Sequence, residues 1–399
     1  MSLSPPKDLA RFGPRTRLVH AGRNPAEQHG FVNTPIYRGS TVLYPSADDY
    51  VNRRARFTYG TKGTPTTEAL ETAWTQLAGA AGTVLAPSGL AAITVALMSC
   101  LKAGDHLLVV DSVYRPTRMF CDGVLARFGV ETTYYDPLAG AGIEALFKAN
   151  TAAVFTEAPG SQTFEMQDVP AIAEAARRRG AVVLMDNTWA TPLFFPPHEH
   201  GVDLAIEAGT KYCSGSSDLL LGLVSANERS WPALRRTFDS FSMCAGPEDV
   251  FLALRGLRIM PLRLKEHERQ ALEMARWLEA RPEVERVLHP ALPGCPGHAI
   301  WKRDFSGSSG LFSIVLTPAP EAAVAAMVDH LELFGIGSSW GGFESLITPF
   351  DCSAYRTATA WKPAGPALRL HIGLEDIEDL KRDLEAGFAR LRSAMARAA

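Results

Sequence analysis

Short apolar runs alternate with longer amphipathic ones through the middle of this chain. Seven runs read as buried strands: Thr83–Ala86, His106–Asp111, Glu131–Tyr135, Ala153–Glu157, Ala181–Asp186, Leu204–Glu207 and Leu219–Ser225. Runs this short and apolar fit strands covered on both faces. Helical stretches fall between several of them, at Leu90–Leu101, Pro116–Phe128 and Val169–Arg179. Another, Thr66–Ala78, precedes the first strand, with Thr66 or Thr67 as its N-cap. Asp168 predicts the N-cap of Val169–Arg179, with Pro170 in the first turn. Strands alternating with helices predict an α/β fold, a mostly parallel sheet covered on both faces.

The pattern changes near residue 245. Pro247–Leu257 and Arg263–Ala280 read as helices, the second with a stripe of Leu264, Ala271, Leu272, Ala275 and Leu278. Strands are expected at Leu311–Leu316 and Ala367–Ile372, and helices at Glu321–Leu331 and Ile377–Ala394. This describes a smaller C-terminal α+β domain, residues 246–399, after a larger one at 61–245. Residues 1–60 lack sustained periodicity. They read as an extended arm packed on another subunit; for the first dozen residues a frayed tail is the alternative.

Composition narrows the class of protein. A chain of 399 residues allows two or three domains, at roughly 100–200 residues each. Its 40 basic and 43 acidic residues give a net charge of −3, without the basic excess of a dedicated nucleic-acid binder. Thr72–Leu101 carries no charge, but Pro87-Ser88-Gly89 interrupts it, so it reads as a buried strand–turn–helix rather than a membrane span. The six cysteines are widely spaced, with no CxxC and no zinc-ligand pair. The charged, proline-bearing N-terminus is unlike a signal peptide. A cytoplasmic protein with reduced thiols, and no membrane or nucleic-acid partner, is expected.

Candidate chemistry sits at the ends of strands, where open α/β sheets bind ligands. Gly89 and Leu90 follow a strand and open an apolar helix, so their amides suit a phosphate; an ordinary tight turn is the alternative. Asp186 ends a very apolar strand, where a carboxylate is costly unless a cation or donor meets it. Lys211 comes just after the next strand. Desolvated, it would be a nucleophile or base; solvated, merely a loop lysine. Arg369 sits between apolar neighbours, on the same strand face as His371, and suits a carboxylate. Phosphate cradle, ring-nitrogen partner, aldehyde-binding lysine and carboxylate clamp together suit a pyridoxal-phosphate enzyme acting on an amino acid.

The segments SGLAAI at Gly89, VYRPTRMFC at Tyr114, EAPGSQTFEMQDVPAI from Glu157, MDNTWATPLF from Met185 and TKY at Lys211 carry a resemblance. With SSWGGFESL from Ser338 and LRLHIGLED from Leu368, the chain resembles the pyridoxal-phosphate enzymes of Cys/Met metabolism. Tyr114-Arg115-Pro116-Thr117, Pro159-Gly160-Ser161 and Trp340 resemble the members that break a β carbon–sulfur bond; γ-acting members commonly have leucine at the last position.

The resemblance implies the aspartate-aminotransferase-like fold type I, with 61–245 as the cofactor domain. It implies pyridoxal 5'-phosphate as cofactor and cleavage of L-cystathionine to homocysteine, pyruvate and ammonia. Alternatives are γ-elimination, broad cysteine-conjugate β-cleavage, or a cofactor-binding regulator without activity. By the same resemblance Lys211 binds the cofactor aldehyde and Asp186 the ring nitrogen. Tyr114 stacks on the ring; Gly89, Leu90 and Thr210 hold the phosphate. Tyr59 reaches a neighbouring subunit's phosphate. Ser339, Trp340 and Arg369 hold the substrate carboxylate. A homotetramer built from two dimers is implied. Thr61 stands where relatives commonly have arginine, and Lys62 is the expected substitute for that charge.

Overall fold

The computed structural model describes residue 9 and residues 11–398. Residues 1–8 and 10, within the stretch considered as a frayed tail, lie outside the described residues. The larger sheet has seven strands: β1 (Gly82–Ala86), β2 (His106–Val110), β3 (Glu131–Tyr135), β4 (Thr151–Glu157), β5 (Val182–Asp186), β6 (Leu204–Ala208) and β7 (Gly222–Ala226). Their order is β1-β7-β6-β5-β4-β2-β3. The block from β3 to β6 is parallel, and β7 runs antiparallel to both of its neighbours. The second sheet is antiparallel: β8 (Val284–Leu288), β9 (Leu311–Leu316), β10 (Leu346–Phe350) and β11 (Ala367–His371), in the order β10-β11-β9-β8.

The predicted elements of the large sheet are present, and their caps follow the local chemistry. Asp168 Oδ1 accepts the Ala171 N–H at 3.1 Å, capping Val169–Arg178. That helix buries Val169 and Ile172, each worth roughly 1.5–3 kcal/mol. The Gly89–Cys100 helix packs across β5, β6, β7 and β1. Its charge-free composition reflects this burial. Among the described residues no helix is long and apolar enough to cross a membrane, and the six cysteines are free thiols.

Four expectations need correction. The helix Pro65–Ala78 is capped by Thr64, not Thr66 or Thr67. Pro65 takes the first helical position, so the cap is the residue just before it. Thr66 instead donates to the Pro35 carbonyl at 2.8 Å. The expected Pro116–Phe128 helix is an α-helix at Arg115–Phe120 followed by a π-turn at Cys121–Leu125. The two helices expected around residue 260 are one helix, Pro247–Glu279, with Pro261 inside it. Burial of Leu257, Met260 and Leu264 holds the axis together across the proline. Finally, β7 starts at Gly222 rather than Leu219, because Leu221 N–H bonds to Thr210 Oγ1 at 3.1 Å.

Candidate active site

Parallel register brings the chemistry together. Glu157 and Asp186 are direct partners at the carboxyl ends of β4 and β5, and Ile206 on β6 is the next partner of Asp186. Asp186 closes an Asx-type turn: its Oδ1 accepts the Thr188 N–H at 3.0 Å and the Thr188 hydroxyl at 2.5 Å. Thr188 Oγ1 in turn accepts the Ala208 N–H at 2.9 Å, so the ends of β5 and β6 are tied. Burial raises the Asp186 pKa, opposed by the Thr188 bonds and the charge of Lys211. No bond within the described residues uses its second oxygen.

Lys211 sits in the turn after β6, where its N–H bonds to the Ala208 carbonyl at 2.9 Å. Its Nζ donates to Ser339 Oγ at 2.7 Å and lies 5.3 Å from the Trp340 ring centroid. Burial, then the charge of Arg369, lowers its pKa to about 8, against the opposing pull of Asp186. The loop bearing Ser339 and Trp340 passes tightly over Lys211. A Cβ on Gly341, at φ +86°, would lie 3.1 Å from the Lys211 carbonyl carbon. Trp340 also packs on the buried Tyr212 ring.

Arg369, on β11, lines the same cleft and donates to the Ser338 carbonyl at 3.1 Å. Its face-mate His371 is buried, with Nε2 3.0 Å from the Gly342 carbonyl oxygen and 3.2 Å from the Gly341 amide nitrogen, fixing the loop above Lys211. Tyr114 opens the Arg115–Phe120 helix at the cleft. Burial, then Asp186 and Glu157, raises its pKa, against Arg369.

The start of the Gly89–Cys100 helix forms a cradle. Ser88 Oγ caps it by accepting the Ala91 N–H at 3.1 Å, which leaves the earlier amides free. A Cβ on Gly89 would meet that of Ala208 at 2.9 Å, so only glycine brings the backbone this close. Thr210 lines the cleft, with its hydroxyl donating to the Leu221 carbonyl at 3.2 Å.

Thus Gly89, Leu90, Tyr114, Asp186, Thr210, Lys211, Trp340 and Arg369 line one cleft, and Ser339 bonds to Lys211 within it. Tyr59 does not join its own chain's cleft. It is half-exposed and lines a separate surface pocket with Tyr37 and Arg38. Lys62 is engaged by Asp239, through the backbone carbonyl at 3.1 Å and the carboxylate at 3.5 Å. Sequence reasoning missed Glu157 and Thr188. Glu157 Oε2 accepts the Tyr114 N–H at 2.8 Å, and burial, then Asp186, pushes its pKa well up. Its position opposite Asp186 at a strand end was the available signal.

A partly neutral lysine, a buried carboxylate with a spare oxygen, a helix-start cradle and an inward arginine define a fold-type I pyridoxal-phosphate enzyme cleft. The chain belongs to the Cys/Met metabolism PLP-dependent enzyme family, whose profile matches residues 15–389. Its cofactor is pyridoxal phosphate. The glycine-lined cradle and the unpaired Asp186 oxygen fit the phosphate and the ring nitrogen.

A provisionally named cystathionine beta-lyase of Rhizobium johnstonii is 55% identical over 388 residues, 96% of this chain and 97% of its own. Cystathionine beta-lyase MetC of Escherichia coli is 41% identical over 387 residues, 94% of this chain and 98% of its own. The crystal structure of cystathionine gamma synthase from Xanthomonas oryzae pv. oryzae with cystathionine superposes with a TM-score of 0.89 at 30% identity. It covers 96% of this chain and 99% of that one.

Proposed function

We propose that the protein is a cystathionine beta-lyase, converting L-cystathionine and water to homocysteine, pyruvate and ammonia. The observation that carries this reading is Lys211 Nζ held between Ser339 Oγ and the Trp340 ring, in one cleft with Asp186 and Arg369. The names of the two relatives above favour the β reaction over others on the same fold.

Bound pyridoxal phosphate supplies an aldehyde for the substrate amino group and a ring that takes up the electron pair left at the α-carbon. The chain's residues do the rest. Gly89, Leu90 and Thr210 hold the phosphate, and Tyr59 of a second copy completes its ligands. An Asp186 carboxylate oxygen keeps the proton on the ring nitrogen. Tyr114 lies against the ring. Arg369 clamps the substrate α-carboxylate, helped by Ser339 and Trp340. Lys211 Nζ, neutral once displaced, removes the α-proton. Its depressed pKa suits that task near neutral pH. Lys211 or Tyr114 then returns a proton to the departing sulfur.

The test is product analysis with purified, cofactor-loaded protein and L-cystathionine. Equimolar pyruvate and homocysteine are expected. 2-Oxobutyrate and cysteine instead would overturn the β assignment in favour of γ-elimination. Lys211→Ala should make neither keto acid.

A further inference from the structure

Gln162 lines the cleft and has φ +94°, a left-handed backbone conformation for a non-glycine residue. Backbone strain of this kind concentrates at ligand sites. Its Oε1 accepts the Tyr355 O–H at 2.8 Å. This leaves the amide N–H2 as a donor at the cleft.

Tyr355 is held firmly in turn. The loop that carries it is bolted to Asp111, a fully buried carboxylate just past the end of β2. Asp111 accepts the N–H groups of Thr357 at 3.0 Å, Ala358 at 3.0 Å and Thr359 at 2.8 Å. It also pairs with the buried guanidinium groups of Arg118 and Arg356. Arg356 pairs further with Glu165 at 2.8 Å. Two carboxylates therefore answer Arg118 and Arg356.

A third guanidinium stands over Tyr355. Arg115, next to Tyr114, lies 5.3 Å from the Tyr355 ring centroid. It is exposed, and none of the ion pairs among the described residues includes it. Glu157, a carboxyl lining the cleft, is engaged by the Tyr114 N–H. One unmatched positive charge over a fixed aromatic ring, with an uncommitted amide donor beside it at the cleft, has the chemistry of a carboxylate receptor. Arg369, which lines the cleft, is the group proposed above for the α-carboxylate.

We propose that Arg115, Tyr355 and Gln162 form a distal subsite that takes the far carboxylate of a two-ended thioether amino acid. The substrate class rests on the lyase reading above, but the subsite can be tested without that reaction. The probes are L-2-aminosuberate and L-2-aminooctanoate. They have equal chain length, only the first has a far carboxylate, and neither has a carbon–sulfur bond. Binding to the cofactor-loaded protein is read from the cofactor absorbance.

Wild-type protein should bind aminosuberate about tenfold more tightly than aminooctanoate, the scale of one charge-assisted hydrogen bond. Arg115→Ala should abolish that preference without weakening aminooctanoate, and Arg115→Lys should restore part of it. A preference that survives Arg115→Ala, or equal weakening of both ligands, overturns the subsite. If the preference behaves as expected while L-cystathionine yields no keto acid, the subsite stands and the lyase reading falls.

Discussion

In the proposed reaction Lys211 works as a free amine, and its surroundings decide when it is one. Burial is the larger cause of its lowered pKa and Arg369 the next, bringing it to about 8 from 10.5. Only the unprotonated Nζ adds to an aldehyde. Capture of pyridoxal phosphate by apo-protein should therefore speed up as pH rises and level off above about 8, well short of 10.5. Arg369→Met removes a positive neighbour, which favours the protonated lysine and should move the midpoint to higher pH. A midpoint unmoved by that change would assign the whole shift to burial. Lys211, Asp186 and Arg369 were legible in the sequence because polar, reactive types end or interrupt apolar runs, whereas Tyr114 came only with the family resemblance. Glu157 ends the apolar run Ala153–Glu157 and carried the same signal, but Thr188 did not, because its role arises from a cross-strand neighbour. The bond from the Ala208 N–H to Thr188 Oγ1 spans 20 positions, and no local pattern announces it.

The cradle depends on how closely β7 passes beneath the start of the Gly89–Cys100 helix. A Cβ on Gly222 would come within 2.2 Å of the Ser88 carbonyl oxygen and 2.7 Å of the Ala92 Cβ. Backbone cannot yield as a flexible side chain does, so Gly222→Ala must push the helix start away. Overpacking of this kind costs about 1–3 kcal/mol. Because the displaced atoms are the proposed phosphate cradle, we expect a fall of about tenfold in pyridoxal-phosphate affinity, read by titrating apo-protein. Gly294→Ala, at an exposed position with open space around it, is the control and should change nothing. Equal affinity in Gly222→Ala would show that the cradle tolerates the shift. Most elements of the large sheet were legible because their strands are single apolar runs; the edge strand β3, ETTYY, is half-buried and polar, legible only by its alternation with helices. β10 was not, since Pro349 lies within it, which an edge strand tolerates. Pro261 misled in the opposite sense. Its helix continues because burial on both sides outweighs the local break.

The chain as described leaves its N-terminal segment uncovered. Leu43 is 89% exposed, Val51 75%, Phe31 72% and Tyr50 67%, more apolar surface than a monomer ordinarily leaves in one stretch of chain. Tyr59 lies at the end of that segment, outside its own cleft. An arm laid on a second copy would cover this surface and bring Tyr59 to the neighbour's phosphate. The consequence is testable by mixing. In Tyr59→Ala protein every cleft keeps Lys211 and loses the tyrosine; in Lys211→Ala protein every cleft keeps the tyrosine and loses the lysine. Each alone should turn over substrate poorly or not at all. A hybrid dimer has one cleft with Lys211 from the first variant and Tyr59 from the second, and that cleft is complete. Random exchange makes half of the dimers hybrids with one working site each, so activity should recover to about a quarter of the wild-type value. If Tyr59 instead folded back on its own cleft in solution, no mixture could assemble a complete site, and co-refolded variants would stay at the sum of their separate activities.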